Sequence, residues 1–256
     1  MDPSVKLHLG RYKRYLWEEP GLLIIIGDFL EFKTGMKLYE DRHHIESAAV
    51  HGSKEFDRLM GAAALAAISL AERESWAWTM TLPGSERGLF CAVEPEGMIC
   101  GRTRPAKKQK ATVHLQRQKA DGPLIQSHYE PLSGDPVDAI NRYFEQVEQI
   151  KTRIVLDDDC SGVLVQALPD AKFSVVEKLE NTKLSTLCRQ MASQDKLKAM
   201  HEVVTFYECR CTDEMILNMM TSLPDAQRKE LWGNENSLTI ECPRCGREYT
   251  YNRSTG

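Results

Sequence analysis

The chain has 256 residues, 42% of them apolar and 27% charged, with 16 Gly and 11 Pro, a composition that excludes a collagenous, low-complexity or wholly disordered protein. At this length a core needs no disulfide staples, and a net charge of −4 argues against coating nucleic acid or anionic lipid as the main activity. The longest mostly apolar run, Met60 to Ala71, falls short of the ~20 residues that span a bilayer. Met1-Asp2-Pro3 has no basic stretch leading into an apolar one, so a reducing cytoplasm is the expected location.

In chain order, Leu22 to Ile26 and Phe29 to Phe32, split by Gly27-Asp28, are expected as two strands, with a loop over Tyr39 to Ser53. Lys54 to Glu72 contains an Ala-rich run with almost no polar face, which predicts a buried helix. From Ser75 the period switches to two, through Trp76, Trp78, Met80 and Leu82. Further strands are expected at Leu89 to Val93, Met98 to Arg102 and Thr112 to Gln116, the first two joined by the turn Glu94-Pro95-Glu96-Gly97. Asp135-Pro136 supplies an N-cap and a first helical residue, and Val137, Ile140, Phe144, Val147 and Ile150 form the apolar stripe behind it. Ile154 to Leu156 and Val163 to Leu168 read as strands around Asp157 to Gly162. Beyond Val176, Leu184, Leu187, Cys188 and Met191 recur at helical spacing, and Ser193 is expected to cap a second helical piece carrying Leu197 and Met200.

The predicted fold class is α+β: an N-terminal core of β-sheet with packed helices (1–176), a helical linker (177–205) and a small C-terminal four-cysteine zinc domain (206–256). Eight cysteines in a chain read as cytoplasmic point to metal or redox chemistry before structural disulfides. Four of them form two close pairs, Cys209-Arg210-Cys211 and Cys242-Pro243-Arg244-Cys245, with Gly246 behind the second. Such pairs each supply two soft ligands from one tight turn, so Cys209, Cys211, Cys242 and Cys245 are the expected ligands of one Zn²⁺ in the reduced chain. Gly246 permits the left-handed backbone that this turn needs. Thr212 is placed to cap a helix over Asp213 to Thr221, and Ser237 to Glu241 and Glu248 to Tyr251 to pair as strands. With four protein ligands the metal has no open position for water, which makes its role structural or switching rather than hydrolytic. Arg210, Arg244 and Arg247 are expected to lower the cost of thiolate charge.

Other motifs carry less. Arg102 to Lys119 holds seven Lys or Arg and no acid, a solvated sheet edge in the plain reading, a source of phosphate contacts in the other. His43-His44, being adjacent, point apart, and Asp157-Asp158-Asp159 reads as a solvated turn. No Walker loop, dinucleotide fingerprint, nucleophile elbow or His-Glu-X-X-His motif is present, so no enzyme activity is expected.

Cys-X-Cys followed by Cys-X-X-Cys after a helical linker resembles the 33-kDa heat-shock proteins, the redox-regulated chaperones. Phe206-Tyr-Glu-Cys-Arg-Cys-Thr212 and Leu238-Thr-Ile-Glu-Cys-Pro-Arg-Cys-Gly-Arg-Glu-Tyr249 are similar to that family's zinc module. Tyr143-Phe144 with Glu148-Gln149-Ile150, and Gly162 to Pro169, resemble two of its core segments, so the likeness covers roughly 56–252. Val147 and Ser161 depart from the family's usual Ser and Gly. The resemblance implies an ATP-independent holding chaperone for unfolded client proteins, inactive when reduced and zinc-bound and activated by thiol oxidation. It also implies disulfides Cys209–Cys211 and Cys242–Cys245 in the oxidised form; a homodimer on oxidation is a further expected partner, a membrane is not. The alternative is a zinc-ribbon nucleic-acid-binding module, against which residues 206–256 carry six Lys or Arg and eight Asp or Glu.

Overall fold

The computed structural model describes residues 8–46, 53–69, 74–106, 110–119 and 121–253. Its strands are β1 (Gly10–Trp17), β2 (Leu22–Asp28), β3 (Glu74–Thr81), β4 (Arg87–Val93), β5 (Met98–Pro105), β6 (Thr112–Lys119), β7 (Leu124–Tyr129), β8 (Thr152–Leu156), β9 (Ser161–Ala167), β10 (Lys198–Tyr207), β11 (Ser237–Glu241) and β12 (Glu248–Asn252). The first ten form one sheet in the order β7-β6-β3-β4-β5-β10-β1-β2-β9-β8, and β11 and β12 form a separate hairpin. The helices are α1 (Leu30–His43), α2 (Lys54–Ser69), α3 (Pro136–Tyr143), α4 (Ser174–Glu177), α5 (Asn181–Ser193), α6 (Asp213–Thr221) and α7 (Asp225–Trp232). The architecture is α+β, as expected. No helix among the described residues is long and apolar enough to cross a membrane.

The unbroken run Leu22 to Ile25 is explained by burial on both sides of the sheet. Leu23 and Ile25 join the core under α1, α2 and α3, while Leu22 and Ile24 join Val163, Val165, Leu184, Cys188 and Met191 in a second core under α5. The expected buried helix is α2. Asp135 caps α3 by accepting from the Val137 amide at 2.9 Å, and its carboxylate also receives Arg58 at 3.0 and 2.6 Å.

Three local expectations are corrected. Phe29 to Phe32 is not a second strand: Asp28 accepts from the Leu30 amide at 3.0 Å, and α1 follows with Phe32, Met36 and Tyr39 buried at helical spacing. Helical turns continue α3 through Phe144–Glu148 in the wider π form, which buries Phe144 and turns Val147 outward. The second helical piece after Ser193 is instead the extended strand β10. Leu197 and Met200 mimic a helical stripe, but Val203-Val204-Thr205-Phe206-Tyr207 is β-branched and aromatic, and these residues fit a sheet better than a helix.

That strand is the seam of the molecule. It runs antiparallel to β1 from Lys198 to Thr205 and then parallel to β5 through two residue pairs, Phe206 with Met98 and Tyr207 with Ile99. In the strand pairing of the described residues, β10 joins the half-sheet β7-β6-β3-β4-β5 to the half-sheet β1-β2-β9-β8, and its last residue lies two positions before Cys209.

Candidate metal centre

The first cysteine pair leaves β10 directly: the Phe206 amide bonds Gly97 O at 2.9 Å and the Glu208 amide bonds Ile99 O at 3.0 Å, which fixes Cys209 against β5. Thr212 then caps α6, accepting from the Met215 amide at 3.1 Å. The second pair occupies the knuckle between β11 and β12. There the Cys242 amide bonds Arg247 O at 2.7 Å and the Gly246 amide bonds Cys242 O at 3.0 Å, with Gly246 at φ 85° as the turn requires.

These turns bring the four sulfurs of Cys209, Cys211, Cys242 and Cys245 within 4.8 Å of one another, all buried. Cys209 Sγ lies 4.0 Å from Cys242 Sγ and Cys211 Sγ 3.5 Å from Cys245 Sγ. A tetrahedral Zn²⁺ with ~2.3 Å bonds to sulfur sets sulfur–sulfur edges of about 3.8 Å, so the cluster fits that ion. The sulfurs also share charge: hydrogen bonds from Cys209, Cys211 and Cys245 pull the Cys242 thiol down, while Cys100 first, then Cys211, push Cys209 up. Sequence pattern gave no sign of Cys100, which β5 carries to this position.

The cluster is joined to the core by side chains from distant elements. Arg102, buried on β5, donates to Cys242 O at 3.1 Å and pairs with Glu241; Arg104, on the same face of β5, donates to Pro243 O. Glu94, in the β4–β5 turn, pairs with Arg244 and Arg210, and Arg210 also pairs with Glu96. Burial would raise the Glu94 carboxyl, but hydrogen bonds from Arg244 and Ser75 hold it below its usual value. Tyr39 on α1 donates to Cys245 Sγ at 3.4 Å, and Tyr249 to Cys211 O at 3.0 Å. Arg210 and Arg244 are therefore engaged in docking to carboxylates, and Arg247 lies over the Tyr249 ring at 4.8 Å.

Remaining candidates fall elsewhere. Cys91 is fully buried and its thiol is pushed well up by burial, with Cys100 adding; burial raises Cys188 to about 12. Asp157 accepts from Ser185 at 2.6 Å and Arg189 at 3.1 Å, so the triple-Asp turn is a docking point for α5. The His43 ring packs on Tyr39 at 4.4 Å between centroids, and burial first, then Arg247, lowers its pKa to about 4. The β6 part of the basic stretch is not a sheet edge, and its β5 part, Arg102 to Pro105, pairs with β4 and meets the cysteine knuckle. β6 is paired on both sides, Arg102 and Arg104 hold the cysteine knuckle, and Arg117 pairs with Glu74 and Glu148.

The Hsp33 protein family model matches residues 52–252. The chain belongs to the Hsp33 family. Among curated relatives, the 33 kDa chaperonin of Photobacterium profundum is 26% identical over 142 residues, 47% of this chain and 49% of its own. That of Thermus thermophilus is 24% identical over 171 residues, 54% and 50% of the two chains. The chain spans about half the length of the curated relatives it matches. In fold it is similar to the crystal structure of the Thermotoga maritima 33 kDa chaperonin, at a TM-score of 0.68 and 16% identity over 96% of this chain and 95% of that one.

Proposed function

We propose that this Hsp33-family chain is a cytoplasmic, ATP-independent holding chaperone for unfolding proteins, rather than an enzyme, and that its binding surface is controlled by the redox state of Cys209, Cys211, Cys242 and Cys245. In the reduced form these residues would hold one Zn²⁺, which neutralises thiolate charge and closes the module. The proposed units are a core (1–176), a linker (177–205) and a switch domain (206–256); the oxidised chain is proposed to form a homodimer.

One observation carries the reading: the buried four-sulfur cluster adjoins the two-pair seam by which β10 holds the half-sheets together. Oxidation by hydrogen peroxide would join Cys209 to Cys211 and Cys242 to Cys245, the pairing that the resemblance implies. Each S–S bond forms by loss of two electrons from two thiolates released by the metal, and one peroxide takes up those electrons and two protons from solvent to become two waters. A sulfur in a disulfide is no longer a thiolate ligand, so oxidation and metal retention exclude one another. Loss of the knuckle geometry would release the carbonyls of Cys242 and Pro243 from Arg102 and Arg104 and leave the end of β10 unanchored. With α5 displaced as well, Leu22, Ile24, Val163 and Val165 would face solvent and meet clients.

The test is stoichiometric. One Zn²⁺ per reduced chain should be released as peroxide consumes four thiols, and serine at any of the four positions should lower zinc content while Cys91→Ser and Cys188→Ser leave it intact. Release without thiol loss, or equal dependence on Cys91, overturns the proposal.

A further inference from the structure

The core contacts of the cluster differ in kind. Arg102 and Arg104 reach backbone carbonyls and Glu94 reaches arginines, whereas Tyr39 reaches a sulfur, its hydroxyl donating to Cys245 Sγ at 3.4 Å. Tyr39 comes from α1, N-terminal to the residues 52–252 that match the family model. Its ring is 2% exposed and held edge-on between Tyr207, at 5.1 Å and 66°, and His43, at 4.4 Å and 61°. Tyr207 is itself the last residue of the β10 seam. One buried phenol therefore touches both the sulfur cluster and the strand end beside it.

We propose that Tyr39 is a positioning residue of the switch, whose hydroxyl tunes the Cys245 sulfur and makes α1 part of the redox site. The inference rests on reading the four cysteines as one metal-binding, oxidisable cluster. An O–H donor aimed at a thiolate draws electron density from it, which stabilises the ionised sulfur as a ligand and lowers its reactivity toward peroxide. The hydroxyl also occupies one direction from which an oxidant would approach the sulfur.

Tyr39→Phe removes the hydroxyl and keeps the ring between Tyr207 and His43. The full-length variant should bind Zn²⁺ roughly tenfold more weakly in competition with a chelator, and its Cys245 thiol should disappear several times faster in peroxide. In the Co²⁺-substituted protein the sulfur-to-metal charge-transfer band should move to lower energy, because the sulfur electrons are no longer held by the donor; a packing role would not shift it. Tyr39→Leu, which loses the ring as well, separates the two roles. If Tyr39→Phe matches wild type in zinc affinity, peroxide rate and the Co²⁺ spectrum while Tyr39→Leu is defective, Tyr39 is only packing and the proposal fails. If Cys245→Ser retains full zinc, the underlying reading of the cluster fails instead.

Discussion

At the scale of single residues, docking depends on a few charged side chains that have left water to meet specific partners. Arg102→Ala would strand the Cys242 carbonyl and free Glu241, at a cost of about 1–3 kcal/mol for a lost charged hydrogen bond. We expect its switch domain to become sensitive to limited proteolysis near residue 206 while the reduced chain still binds zinc; wild-type resistance would show that Arg102 does not hold the module. Glu94 gives a pH signature. Its carboxyl is lowered in the folded state, so its contribution to stability is full above its unfolded value near 4.5 and is lost as pH falls through the folded value. The difference in melting temperature between wild type and Glu94→Gln should therefore be largest near neutral pH and shrink in acid. The clustering of Cys209, Cys211, Cys242 and Cys245 and the turn at Gly246 were legible in the sequence because local spacing marks them. Arg102, Glu94 and Tyr39 were not, since each acquires its role from a partner more than a hundred residues away.

Among the elements, α5 and β10 are the ones through which the proposed regulation would act. The expectation of a narrow-striped helix that must dock on something else describes α5 well: Leu184, Cys188 and Met191 are its buried apolar positions, set against β2 and β9. Leu184→Ala should weaken that docking by about 2–4 kcal/mol and give the reduced, zinc-bound chain measurable client holding, with no change in zinc content. An unchanged, inactive reduced state would remove α5 from the account. Hydrogen exchange tests β10: its amides from Val203 to Tyr207 should lose protection on oxidation together with those of α5. If residues 177–205 stay protected after zinc has gone, α5 is not displaced and the proposed exposure of the core face fails. Local signals in these two segments mislead for physical reasons. Leu197 and Met200 sit three apart, as in a helix, so only the β-branched run after them discriminates; α1 begins at Leu30 immediately after a strand, where Phe29 and Phe32 imitate a short apolar strand.

For the whole molecule, the α+β class was legible because alternation in β3 and the stripe of α3 are strong local signals. The topology was not. A sheet closed by a strand from residues 198–207, between partners at 10–17 and 98–105, depends on pairings that leave no mark in local periodicity. This same arrangement couples the ends of the chain, since the module that follows β10 packs on α1 and β5 and the strand between them joins the half-sheets. If the cysteine cluster governs access to an apolar face of the core, light scattering from a thermally unfolding client reads that control out. Zinc-bound, reduced protein should leave the scattering unchanged, and the same protein after peroxide treatment should suppress it without nucleotide; equal suppression in the two states, or none in either, would contradict the account.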